Sequence, residues 1–125
     1  MSIPLSADIV LVEDDAILRA ALTDWLEAAG YGVRSAEDGS VGLAAVRFVE
    51  PALVITDMQM PVMDGWAVLA EVRQRHPAVP VIAMSAHFGS GQGAAAALAL
   101  GAARVLAKPF KRGDLLLAVA ELVGP

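Results

Sequence analysis

Short apolar runs that each close on a polar side chain alternate along the chain with segments in which apolar residues recur every three or four positions. Val10-Leu11-Val12, Leu53-Val54-Ile55, Val79 to Ala86 and Arg104 to Ala107 read as strands, with a weaker one over Gly32 to Ala36. Between them, Ile17, Leu18, Ala21, Leu22, Trp25 and Leu26 have helical spacing, and this helix stops near Gly30. A second helix is predicted over Val41–Val49, ending at Glu50-Pro51, and a third carries Trp66, Val68, Leu69 and Val72 and closes at His76-Pro77. The fourth is expected to be short or mobile. Gly89, Gly91 and Gly93 crowd its start, Ala94–Ala97 offers little to bury, and each glycine costs about 1 kcal/mol against alanine in a helix. A last amphipathic helix covers roughly Asp114–Val123. Five strand–helix units imply an α/β chain with a doubly wound sheet. Strands that are continuously apolar suit a parallel sheet covered on both faces.

Composition changes this picture little. The chain has 125 residues, 57% of them hydrophobic, no cysteine and a net charge of −5. It is expected to form one domain with its core over about 8–123, and disulfides and thiolate metal sites are excluded. Mean hydropathy is +0.60, yet the longest stretch without Lys, Arg, Asp or Glu, 76–103, is broken by Pro77, Pro80 and several glycines. No membrane insertion is therefore expected, nor direct nucleic-acid binding by so acidic a domain. The first residues lack the cationic and apolar regions of a signal peptide, so a cytoplasmic location is expected.

The chemistry lies where the strands stop. The first ends in Glu13-Asp14-Asp15, the third in Asp57, the fourth in Ser85-Ala86 and the fifth in Lys108-Pro109-Phe110. Open α/β sheets place their sites at this carboxyl edge. Clustered carboxylates repel unless a cation joins them, and a hard divalent ion with oxygen ligands does so. Asp57 begins the loop Asp57-Met58-Gln59-Met60-Pro61-Val62-Met63-Asp64-Gly65, in which Pro61 and Asp64-Gly65 are expected to force turns. With this acidic cluster, this D-x-x-M-P-x-M-D-G loop, Ser-Ala and K-P-F in this order, the chain resembles the receiver domain of two-component response regulators over about 8–123.

The resemblance implies a flavodoxin-like (βα)5 fold with strand order 2-1-3-4-5. It implies that Asp57 accepts a phosphoryl group with Mg²⁺ as cofactor. Asp14, Asp57 and the backbone carbonyl of Gln59 would hold the ion directly, and Glu13 through water. Alignment on Arg19 makes Glu13-Asp14 the family's acid pair and leaves Asp15 free to cap the first helix. Lys108 would neutralise phosphoryl oxygens, Ser85 would donate a hydrogen bond to one, and Ala86 would leave the approach open. Pro109 matches the family's cis peptide. The implied partners are a sensor histidine kinase or histidine phosphotransfer protein, docking on the first helix, and an unidentified downstream effector. The implied assembly is a monomer or a phosphorylation-linked dimer, and the chain would be a stand-alone or excised receiver. It would be a signalling phosphoacceptor that assists its own phosphorylation and slow autodephosphorylation rather than an enzyme.

Some positions depart from the family pattern. Val105 stands where many members carry Tyr or Phe, which removes the common aromatic switch and alters the expected response of the surface formed by helix four, strand five and helix five. Gln59 and His87 occupy the positions that tune access of hydrolytic water. His76 reads as a helix-end residue, and Met58, Met60, Met63, Met84, Trp25 and Trp66 as packing. Phosphatases of the haloacid dehalogenase type also use an Asp nucleophile and Mg²⁺, but need a second Asp at the place of Gln59. A phosphorylation-independent interaction module is the remaining alternative.

Overall fold

The computed structural model describes residues 7–88 and 92–124. Five strands, β1 (Asp8–Val12), β2 (Gly32–Ala36), β3 (Leu53–Asp57), β4 (Val81–Ser85) and β5 (Arg104–Ala107), alternate with five helices. The helices are α1 (Ala16–Ala28), α2 (Gly39–Phe48), α3 (Gly65–Arg75), α4 (Gln92–Leu100) and α5 (Arg112–Val123). All strand pairs are parallel, in the order β2-β1-β3-β4-β5, which is the flavodoxin-like arrangement.

The pleat explains the unbroken apolar runs, because successive side chains go to opposite faces and both faces are covered. Ile9, Leu11, Leu53, Ile55, Ile82 and Met84 pack with Leu22 and Leu26 of α1 and Leu115 and Val119 of α5. Val10, Val12, Val54, Val81 and Ala83 pack on the other side with Leu43 of α2, Val68, Leu69 and Val72 of α3, and Ala97 of α4. The amphipathic spacing of the helices thus meets the alternation of the strands on two faces.

Helix limits differ from the sequence reading where polar caps act. α2 begins two residues earlier than expected because the Asp38 carboxylate accepts the Val41 N–H at 2.9 Å. Asp64 does not form a two-residue turn with Gly65. It caps α3 by accepting the Ala67 N–H at 3.1 Å, and Gly65 is already helical. α5 starts at Arg112 rather than Asp114, whose carboxylate accepts the Lys111 N–H at 3.1 Å. α1 ends as expected, with Gly30 at φ +99, a conformation that favours glycine. α4 is nine residues long, as short as its glycines and alanines imply. Gly89 and Gly91, on which that reading also rested, lie outside the described residues.

Strand register sets the site. Val12 pairs with Thr56, Asp57 with Met84, and Ser85 with Ala107. The residues Glu13, Asp57, Ser85 and Lys108 therefore lie together at one sheet edge, although they come from four separate parts of the chain.

Candidate functional site: an acidic pocket closed by Lys108

Asp57 is the last residue of a strand buried along its whole length, and its side chain is only 7% exposed. Its loop turns back at once. The Met58 N–H donates to the Met84 carbonyl at 2.9 Å, and the Gly65 N–H donates to the Met58 carbonyl at 3.1 Å. Gly65 is required for that approach, since a Cβ there would strike the Asp57 carbonyl oxygen and lie 2.6 Å from Met58 Cα. Met58, Met60 and Met84 are buried, and Met63 packs against the cluster that holds Met58 and Met60, so these methionines are packing, as read from the sequence.

Glu13, Asp14 and Asp57 each offer a carboxylate oxygen, and these atoms lie within 4.8 Å of one another. Asp14 is exposed at the mouth and Glu13 is fully buried. Asp15 stands apart from this group. Its carboxylate caps α1 by accepting the N–H groups of Ile17 at 2.9 Å and Leu18 at 3.2 Å. Arg19 has a structural role that the sequence did not reveal. Its guanidinium donates to the Glu13 carbonyl at 2.8 Å and fixes the backbone of the acid pair from one turn into α1.

Lys108 reaches into this cluster. Its ammonium lies 2.5 Å from Glu13 Oε1 and 3.3 Å from Asp57 Oδ2. The Lys108 N–H donates to the Ser85 carbonyl at 2.9 Å, and the Lys108–Pro109 peptide is cis. Burial works against the ammonium, but the hydrogen bond to Glu13 and the charge of Asp57 outweigh it and raise the Lys108 pKa. Burial pushes the Glu13 carboxyl up to about 7, with the Asp57 charge adding to the rise; Lys108 and the Asp15 N–H only partly oppose it.

That shift has a direct consequence. Folded Glu13 holds its proton from the ordinary 4.5 up to about 7, where the unfolded chain has released it. Its contribution to stability is therefore full below about 4.5 and is lost as pH rises through that window. In metal-free buffer, wild-type stability is expected to fall by on the order of 2–3 kcal/mol relative to Glu13→Gln across that range. Urea titrations of both proteins at a series of pH values check this. Parallel pH profiles would show that Glu13 carries no such strain.

Ser85 is fully buried at the end of β4. Its hydroxyl donates to Gln59 Oε1 at 2.5 Å and accepts the His87 N–H at 2.9 Å. The Gln59 N–H points at Asp57 Oδ1 across 3.4 Å, so the Gln59 backbone runs beside that carboxylate. Sequence reasoning did not anticipate the contact between the Gln59 and Ser85 side chains, because a pairing 26 positions apart leaves no local pattern. Val105 is half-buried and packs among α4-side residues. His76 closes α3 as expected, with Nδ1 2.9 Å from Glu50 Oε1.

This arrangement matches a known one. The family model of the response regulator receiver domain fits residues 9–120. The chain belongs to the response regulator receiver domain family. It is 39% identical over 117 residues to the response regulator protein FleR of Pseudomonas aeruginosa, covering 94% of this chain and 24% of FleR. To the DNA-binding transcriptional regulator NtrC of Salmonella typhimurium it is 40% identical over 113 residues, covering 90% of this chain and 24% of NtrC. The chain thus spans about a quarter of the length of these relatives. The crystal structure of the receiver domain of NtrX from Brucella abortus superposes with a TM-score of 0.86 at 34% identity, covering 93% of this chain and 98% of that one. The signal receiver domain of a LuxO repressor protein from Vibrio parahaemolyticus gives 0.89 at 28% identity, covering 95% and 91%. Receiver domains of response regulators interact with histidine kinases and with effector domains. No described helix of this receiver is long and apolar enough to cross a membrane.

Proposed function

We propose that this receiver accepts a phosphoryl group on Asp57 from a phosphohistidine of a sensor kinase or phosphotransfer protein, and later releases it to water. The observation that carries this reading is the convergence of the Asp57 carboxylate with two further carboxylates and the Lys108 ammonium. The donor set of clustered, hard carboxylate oxygens fits Mg²⁺. Asp14 and Asp57 would hold it directly, the Gln59 carbonyl would complete the protein ligands, and Glu13 would act through water. Once bound, the ion would offset the negative charge of the cluster and of the incoming phosphoryl oxygens.

The residues of the chain do the rest. An Asp57 carboxylate oxygen attacks phosphorus, the P–N bond to the donor imidazole breaks, and the imidazole leaves with its electron pair and takes up a proton. Lys108 stays protonated throughout, as its raised pKa favours, and stabilises the charge on the transferred group. Lys108 first has to give up part of its contact with Glu13 to reach the transferred group. Hydrolysis forms a bond from water oxygen to phosphorus and returns the carboxylate with inorganic phosphate. An almost wholly apolar groove of about 260 Å³ lined by Leu18, Trp25, Ala86, Lys108, Pro109 and Phe110 adjoins the site and supports donor docking at α1. Signal output is assigned to the face of α4, β5 and α5, reached through movement of Ser85 and its loop. A cytoplasmic setting follows from such donors.

Amide NMR of the Mg²⁺ form with and without beryllofluoride tests this reading. Shifts are expected at Asp57, Ser85 and Lys108 and onward into α4 and β5. Shifts confined to the site would favour a module that works without phosphorylation-driven switching, and no shifts at all would contradict acceptor chemistry.

A further inference from the structure

Gln59 is exposed, its side chain belongs to the loop after β3, and it reaches across to the end of β4 through a hydrogen bond with Ser85. A hydroxyl has a single proton to donate. In Ser85 that proton goes to Gln59 Oε1, while the oxygen is committed to the His87 N–H. With Gln59 in place the Ser85 side chain is closed off from solvent. Any phosphoryl oxygen that uses Ser85 as a donor must therefore displace Gln59 first.

Resting on the acceptor reading above, we propose that Gln59 is a latch: a positioning residue whose side-chain amide oxygen holds the Ser85 hydroxyl in the unphosphorylated state and competes with the phosphoryl group for it. The latch lies on the loop of Asp57 itself, so breaking it frees the Ser85 hydroxyl at the end of β4 in the same event that modifies the acceptor. It sets the balance between the resting and the phosphorylated arrangement through one exchangeable hydrogen bond.

Gln59→Met keeps the length of the side chain and removes the acceptor. In this variant the Ser85 hydroxyl lacks a partner until an anion arrives, and a buried donor without a partner is costly. The test is titration of beryllofluoride in the presence of Mg²⁺, followed by tryptophan fluorescence, since Trp66 lines an open pocket with Met58 and Gln59 and Trp25 lines the groove beside Lys108. Gln59→Met is expected to bind about 2- to 10-fold tighter than wild type. Ser85→Ala and the double variant Gln59→Met/Ser85→Ala are then expected to bind alike, because without the hydroxyl there is nothing to hold. Equal or weaker binding by Gln59→Met in the Ser85 background overturns the latch. So does a gain that persists unchanged in the Ser85→Ala background, which would assign Gln59 an effect on water or on the ion. If wild type binds no beryllofluoride, the acceptor reading itself fails and the latch with it.

Discussion

Replacing Lys108 with Met is expected to slow phosphorylation of Asp57 by acetyl phosphate by about 100- to 1000-fold. Metal-free stability at pH 8 is expected to drop by about 3 kcal/mol in the same variant. Both effects have one origin. The ammonium is the cation that faces Glu13 and Asp57 together, at 2.5 and 3.3 Å, and none of the three side chains is more than 18% exposed. Methionine leaves two buried carboxylates without their counter-charge. The stability loss is expected to shrink near pH 5, where Glu13, already pushed up to about 7, takes a proton and removes one of the two charges. It is also expected to shrink when Mg²⁺ is added, because without the competing ammonium the carboxylate cluster binds the ion more tightly in the variant than in wild type, and mass action then stabilises the variant more. Denaturation at both pH values with and without Mg²⁺, together with acetyl phosphate kinetics, separates the two roles. A variant that loses stability but phosphorylates at the wild-type rate would make Lys108 a structural cation only.

The second large effect is expected at Gly65. Alanine there brings a methyl group against the Asp57 carbonyl and within 2.6 Å of Met58 Cα, both of them backbone atoms that cannot swing aside. Gly65→Ala is expected to cost about 3 kcal/mol, the upper part of the range for overpacking. It also displaces the peptide that carries the acceptor carboxylate. Gly113→Ala is the matched control. It is helical, and its added methyl meets nothing within 4 Å, so a gain of about 0.5–1 kcal/mol is expected. Thermal or urea unfolding of the two variants decides the matter. Equal stabilities would show that the β3–α3 turn can relax around the methyl group.

The sheet was legible because a parallel strand buried on both faces has to be apolar without interruption. Leu53 to Ile55 and Val81 to Met84 carry that signal unmistakably. The carboxyl-edge residues were legible for the same reason, since Asp57, Ser85 and Lys108 interrupt or end such runs. Glu13, Asp14, Asp57 and Lys108 do converge as expected, and Asp15 takes the capping role left open to it. Helix starts were less legible. At Asp38 and Asp64 the caps act from outside the apolar periodicity, so α2 starts earlier than the period implies and Gly65 belongs to a helix rather than a turn. Tertiary partners of polar side chains outside this cluster were not legible. The support that Arg19 gives to the acid pair and the hold of Gln59 on Ser85 both depend on where loops meet in space. The burial that pushes the Glu13 carboxyl up is likewise a property of the packed site and leaves no mark in the sequence.

Intact-mass spectrometry after incubation with Mg²⁺ and acetyl phosphate, comparing wild type with Asp57→Asn, puts the acceptor itself to the test. Wild type is expected to gain one phosphoryl group, which is lost with time and absent when Mg²⁺ is chelated, while Asp57→Asn gains none. An adduct of equal yield in Asp57→Asn, or none in wild type, would contradict the assignment of Asp57 as the phosphoacceptor.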